Sequence, residues 1–376
     1  MANLRITSMR SSADECFTIY FCGTGSNRFD QFNPRYWNGE LISTLAGNDQ
    51  GREFVDWIAV DGPASGNLQA DQLFVRPGRH HHTTGKLLGR GWDENVAHAL
   101  QVIKGQAIWQ REKLDKSEYN RLKAAGVPIP DATARRLRSD DYGRRKVTPQ
   151  ALQQQMIKQF RATRPLTSVN LVGWSRGGIS CHMLANAMAE DEQLRDIAVN
   201  IFAVDPVPGV LNVQKKRVKL AGNVKNYVGF FARDERSYGF AAVIPVTAPN
   251  TEVYLYPMSG RHATLVGNAT LYGVEGNRTL VEPGLVVRHS AEVFLTHWGT
   301  KLAKTLNLSD RALAVYMEAI KADDHKYRGM RKKSYTLIRE GSSSERLMHY
   351  GMKRIEFSHM LDHRLPLVLN LSRRHR

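Results

Sequence analysis

Short, densely apolar runs alternate along the chain with stretches in which apolar residues recur every three or four positions. CFTIYF (16–21), FVDWIAV (54–60), SVNLVGW (168–174), VNIFAV (199–204), VKNYVGFF (224–231) and EVYLYPM (252–258) are the length of buried strands. Between them, GWDENVAHALQVI sets Val96, Leu100 and Ile103 at helical spacing. PQALQQQMIKQFRATR begins at Pro149 and carries Leu152, Met156 and Phe160 at four-residue steps, and GGISCHMLANAMAE aligns Ile179, Met183 and Ala187. Strands alternating with helices predict an α/β fold, a mainly parallel sheet with helices on both faces. A further helix is expected from Ser309 to Lys321, with Leu313, Met317 and Ile320 on one face. No internal repeat is visible.

With 376 residues, 42% hydrophobic and 24% charged, the chain has ordinary globular composition and is long enough to bury a large core. No apolar stretch reaches the roughly 18 residues that span a bilayer. The opening MANLRITSMRSSADECF lacks the apolar region of a signal peptide, so synthesis and folding in the cytoplasm are expected. Three cysteines, Cys16, Cys22 and Cys181, form no metal-ligand spacing and read as reduced thiols in ordinary packing. The tract HHH at 80–82 has no partner pattern and reads as a polar loop, so neither metal nor cofactor is expected.

Charge is the abnormal bulk property. The net +17 points to an anionic partner and is concentrated in two places. Residues 326–376 hold 13 basic against 4 acidic side chains, and residues 111–146 hold 11 against 6. The expected organisation is therefore a catalytic domain over 1–305, with a basic capping insertion at about 104–147, and a partly helical basic extension over 306–376. The cluster RGMRKK (328–333) beyond the Leu313/Met317/Ile320 stripe would hold a phospholipid headgroup surface, or else these residues form a packed helical tail.

The chemistry begins at LVGWSRGGIS (171–180). Ser175 stands between Gly173 and Gly177 where an apolar strand meets an amphipathic helix, the context of a nucleophile elbow. There the backbone is strained so that the hydroxyl stands above the sheet, and the flanking positions lie too close to neighbouring backbone for a Cβ. Such a serine needs a base oriented by an acid, in chain order Ser, acid, His. His182 lies on the elbow helix, and His325, His349, His359, His363 and His375 fall in the basic tail. Of His262, His289 and His297, the first follows a strand in a loop, MSGRHATLVGN, and is the candidate base; His297 reads as a packed core histidine. Asp205 and Asp234 both close strands, at the sheet edge where α/β sites assemble. For the oxyanion, the amide of Arg176 is one candidate donor, and Gly23 or Thr24, in CGTGSN after the first strand, is the other.

Together, C-G-T-G-S-N, G-W-S-R-G-G, D-P-V-P-G, A-R-D-E-R and S-G-R-H-A-T-L-V-G resemble, in order over most of residues 17–270, the type VI secretion lipase-effector family of α/β-hydrolases. That family's pattern is a G-F-S-R-G-A elbow with D-G-T, D-T-V, L-D-E-R and G-x-H-S-D-V-G-G segments. The resemblance implies an α/β-hydrolase with Ser175 as nucleophile, His262 as base and Asp205 as acid, Asp234 being the fallback. It further implies phospholipase-type lipid ester hydrolysis, secretion into target cells, a secretion-apparatus partner and a cognate immunity protein. The chain departs from the pattern at Cys22-Gly23-Thr24, where the acidic residue is missing, and at Ala263-Thr264-Leu265-Val266-Gly267. Two rivals stand beside this reading. One is a nucleic-acid-binding protein on an inactive hydrolase fold, disfavoured because the basic segments lack a binding motif or interleaved aromatics. The other is an esterase or thioesterase for soluble substrates.

Overall fold

The computed structural model describes residues 15–53, 55–65, 92–105, 116, 120, 166–210, 212–269, 273–341 and 345–361. The expectations for the helix at 149–164, the HHH tract and almost all of the basic insertion lie outside these residues, as does the end of the C-terminal extension.

Six strands form one sheet in which every described pairing is parallel. In chain order, the elements begin with β1 (Cys16–Phe21), α1 (Leu41–Asn48), β2 (Trp57–Val60), α2 (Trp92–Lys104), β3 (Ser168–Trp174) and α3 (Arg176–Glu190). They continue with β4 (Ala198–Val204), the short α4 (Lys215–Val218), β5 (Val224–Ala232), β6 (Ala242–Ile244) and β7 (Glu252–Met258). A two-stranded ribbon of β8 (Val274–Glu275) and β9 (Arg278–Thr279) precedes α5 (Glu282–His297), α6 (Asp310–Ala322) and α7 (Asp324–Gly329). A hairpin of β10 (Leu347–Tyr350) and β11 (Lys353–Glu356) follows. The sheet order is β2-β1-β3-β4-β5-β7, and β6 joins the hairpin in a separate three-stranded sheet.

Alternation along each strand builds two cores. Phe17, Ile19 and Phe21 of β1, with Leu171 and Ile201, face α2 and α3. Tyr20, Val172, Phe202, Phe230 and Tyr256 face the opposite side, against α1 and α5. A strand buried on both faces has no polar side to alternate with, which is why these runs read as continuously apolar. The second expected strand begins late, at Trp57, because Arg52 pairs with Asp56 in a turn just before it.

The polar exceptions near the amino ends share one register. Asn170, Asn200 and Asn226 are each the third residue of their strands, and pairing sets them side by side. Asn226 Nδ2 donates to Asn200 Oδ1 at 2.8 Å, and Asn200 Nδ2 to Asn170 Oδ1 at 2.9 Å. Asn170 Nδ2 donates to Thr300 Oγ1 at 3.0 Å, and that hydroxyl meets Thr18 of β1 at 2.8 Å. A one-residue slip would throw every amide to the other face, so the row fixes register as well as satisfying itself.

Described elements beyond residue 306 pack onto this body. Leu313 and Ile320 of α6 are buried in the same core as α5, which consumes the apolar stripe the sequence left open to a membrane. β10 pairs in parallel with β6. Part of the basic excess is paired internally: Arg328 with Asp324, Arg331 with Asp234, and Arg346 with Asp205. Among the described residues no helix is long and apolar enough to cross a membrane.

Candidate active site

From β1 the chain runs outward to β2, then crosses back to β3 on the other side of β1. The sheet order therefore reverses between β1 and β3, and the crevice outside their carboxyl ends is where open α/β sheets bind ligands. The loop Cys22–Asn27 leaves β1 there and Ser175 leaves β3 there.

Ser175 has φ 59° and ψ −125°, a conformation that costs an L-residue about 1–3 kcal/mol and persists only when its surroundings impose it. Two neighbours do so: Ser175 N donates to Val204 O at 3.0 Å, and Val207 N donates to Ser175 O at 3.2 Å. The flanking glycines are required by space. A Cβ on Gly177 would strike the Phe21 carbonyl oxygen of β1, and one on Gly173 would strike the Gly177 backbone. The serine side chain makes no capping bond to α3, and the residue is 5% exposed.

His262 lies on the loop after β7. Its Nδ1 is 2.6 Å from Asp205 Oδ2, so the ring donates Nδ1–H to the carboxylate and presents Nε2 as acceptor. Its backbone N–H donates to Glu235 Oε2 at 3.2 Å. Three aromatic rings wall the imidazole: Trp174 at 5.0 Å, Phe240 at 5.0 Å edge-on and Tyr335 at 6.3 Å. Because Trp174 immediately precedes Ser175, the elbow and the imidazole share one end of the sheet. Among the described residues no hydrogen bond joins Ser175 Oγ to His262. Bonds of this kind commonly tighten only once substrate is bound.

The two candidate aspartates separate cleanly by their partners. Asp205 follows β4 at φ 43°, is fully buried and bonds His262. Asp234 binds Arg233 and Arg331, and its Oδ2 accepts Gly260 N at 3.0 Å, which clamps the stem of the His262 loop. Burial alone would raise the Asp205 carboxyl; the Arg346 guanidinium and His262 overcome this and bring it down to about 2. Glu235, also buried, is held below the ordinary carboxylate range against the same desolvation by Arg261.

Arg346 is the residue the sequence did not reveal. Its guanidinium grips Asp205 at both oxygens, Nη1 to Oδ1 at 2.6 Å and Nη2 to Oδ2 at 2.9 Å, and also donates to the carbonyls of Ala232 and Phe240. In sequence it stands in a charged tail, where an arginine reads as solvated; only the pairing of β10 with β6 carries it inward. Tyr335 and Phe240, likewise unforeseen, stack at 5.4 Å beside the histidine.

The residues proposed to supply the oxyanion donors lie near one another at this crevice. Arg176 Nη1 donates to Thr24 Oγ1 at 3.2 Å, and Gly23 packs so closely on Trp174 that a Cβ there would collide with the indole. Burial, with the like charge of Arg217, lowers the Arg176 guanidinium to about 10. His182, by contrast, is buried on α3 itself, its ring nitrogens meeting Arg217 O and Tyr227 OH. His297 is exposed at the end of α5 rather than packed in a core, and His289 Nδ1 accepts the Leu308 N–H.

No family model and no curated protein matches the chain. Among solved structures, the fold is similar at 12% identity and TM-score 0.47 to an uncharacterized protein from Pseudomonas aeruginosa, covering 84% of this chain and 52% of that one. It is similar at 13% identity and TM-score 0.33 to the Tle1 effector bound to the VgrG spike of the type 6 secretion system, covering 67% of this chain and 50% of that one. The chain thus spans about half the length of these solved chains. Neither likeness assigns an activity or a residue here.

Proposed function

We propose that the protein is a serine-dependent lipid ester hydrolase, of phospholipase type, with Ser175 as nucleophile, His262 as base and Asp205 as acid. The observation that carries this reading is the 2.6 Å bond from His262 Nδ1 to Asp205, at the sheet edge where Ser175 is held in a strained turn. A carboxylate on Nδ1 fixes the tautomer that leaves Nε2 free to accept a proton. As Ser175 Oγ bonds to the ester carbonyl carbon, His262 Nε2 takes the hydroxyl proton. The backbone N–H groups of Arg176 and of Gly23 or Thr24 receive the oxyanion. The C–O bond then breaks and the alcohol leaves with the proton from Nε2. Water repeats the sequence on the acyl-enzyme, releasing the fatty acid and restoring the serine.

The lipid substrate, the delivery by a secretion apparatus and the immunity partner rest on the motif resemblance. The test is release of fatty acid from mixed phospholipid vesicles. Ser175→Ala is expected to lower it by at least about 10³-fold, the scale on which loss of such a nucleophile acts. Equal release by the two proteins would overturn the reading.

A further inference from the structure

We propose that Arg346 is a positioning residue of this site: by gripping both oxygens of Asp205 it orients the carboxylate for His262 and makes the C-terminal hairpin part of the catalytic apparatus. The inference rests on the hydrolase reading above.

The geometry is that of a clamp with several fixed points. Asp205 Oδ1 accepts Ala232 N at 3.0 Å as well as Arg346 Nη1, and Oδ2 accepts Arg346 Nη2 as well as the imidazole. Each carboxylate oxygen thus has two donors, and only one of the four comes from the base. The guanidinium is itself held by the carbonyls of Ala232, at the end of β5, and Phe240, whose ring walls the imidazole. Arg346 therefore ties together the acid, the strand beside it and one wall of the base. A planar fork on a planar carboxylate fixes its rotation, which a point charge on a lysine does not.

The cation has a second consequence. In a triad the carboxylate stabilises the imidazolium that forms during reaction. The charged groups facing Asp205 are Arg346 and His262; those facing His262 are Asp205 and Glu235, the latter shared with Arg261; Arg236 and Glu340 act on Arg346. The guanidinium offsets the carboxylate, so the imidazolium is stabilised less than by a lone Asp.

The test uses the full chain and a soluble p-nitrophenyl acyl ester, with folding checked by circular dichroism. Arg346→Met is expected to lower kcat about 10- to 100-fold, the usual cost of losing a group that orients a functional side chain. The ascending limb of its kcat/KM profile should move to higher pH, because an uncompensated carboxylate holds the imidazolium proton more tightly. Arg346→Lys, which keeps the charge and loses the fork, should leave the limb in place and restore kcat in part. In an Asp205→Asn background, Arg346→Met should cost little more. Should Arg346→Met fail to fold, the lysine variant carries the test through its kcat and the unmoved limb. Wild-type kcat and pH profile in folded Arg346 variants, with Ser175→Ala inactive, would overturn this assignment alone. Loss of kcat undiminished by Asp205→Asn would do the same. Hydrolysis that does not depend on Ser175 would overturn the hydrolase reading as well.

Discussion

Strands β3, β4 and β5 begin and end in polar groups, and the two ends solve the same burial problem in opposite ways. At the amino ends Asn170, Asn200 and Asn226 are neutral amides that satisfy one another along a register row. At the carboxyl ends Ser175, Asp205 and Asp234 are strained or charged: Ser175 and Asp205 sit at φ 59° and 43°, and both carboxylates lean on arginines from beyond residue 330. The neutral end is closed by neighbours in the sheet and Thr300; the charged end needs cations from far along the chain. A row of amides that spend their groups on one another and on Thr300 leaves little to offer a ligand. An acceptor nitrogen and a hydroxyl held at a crevice offer more, and on the proposed reading their strain belongs to a reactive site.

Substitutions sharpen this contrast. The largest effect is expected at Asp205→Asn, which would remove the acceptor that fixes the His262 tautomer and lower kcat by about 10⁴-fold in the ester assay. Asp234→Asn, at the same sheet edge, should lower kcat less than about tenfold while lowering the urea midpoint, since it loses Arg233, Arg331 and the clamp on Gly260. Comparable kcat losses from the two variants would erase the distinction drawn between them.

At the opposite end, Asn200→Ala should leave kcat unchanged. It should cost roughly 1–3 kcal/mol in urea unfolding, because Asn170 Oδ1 and Asn226 Nδ2 both lose their partner. A parallel loss of activity would mean that the two ends are coupled through the strands.

The smallest effect concerns what a cation does for a buried carboxylate. Glu40, which caps α1 by accepting Ser43 N, is as buried as Asp205, yet desolvation pushes it up to about 7 while Asp205 lies near 2. The signs differ accordingly. Asp205 contributes stability that is present above the ordinary aspartate range near 4 and lost as pH falls toward 2. Glu40 favours its protonated form in the fold, so stability declines as pH rises from the ordinary glutamate range, about 4.3, toward 7. Glu40→Gln should flatten that decline in urea midpoints measured across pH 5–7, and an unchanged slope would locate its source elsewhere.

Much of this was legible in order. The strand runs match β1, β3 and β7 residue for residue; for β1 and β3 this follows because a strand buried on both faces leaves an apolar run of its own length. Ser175 was legible because Gly173 and Gly177 mark a close approach of backbones, and His262 and Asp205 because each follows a strand. The choice between Asp205 and Asp234 was not legible from the residues. Both end strands and both have arginines beside them in space, and what separates them is which one reaches Nδ1 of a ring 57 residues beyond Asp205. The asparagine row was equally invisible, since its meaning lies in the register between strands.

By itself, then, the sequence determined the alternation of elements, the two-sided burial of the sheet and the turn that holds Ser175. Those features are written in local patterns of residue type, even though the Ser175 turn itself is held by bonds to Val204 and Val207. Tertiary structure alone decided that Arg346 leaves a basic tail to hold a buried carboxylate, and that Leu313 and Ile320 serve the core. Both depend on pairings between segments about a hundred residues apart or on docking of whole helices, and side-chain periodicity carries no record of which distant partner will take up a charge or an apolar face.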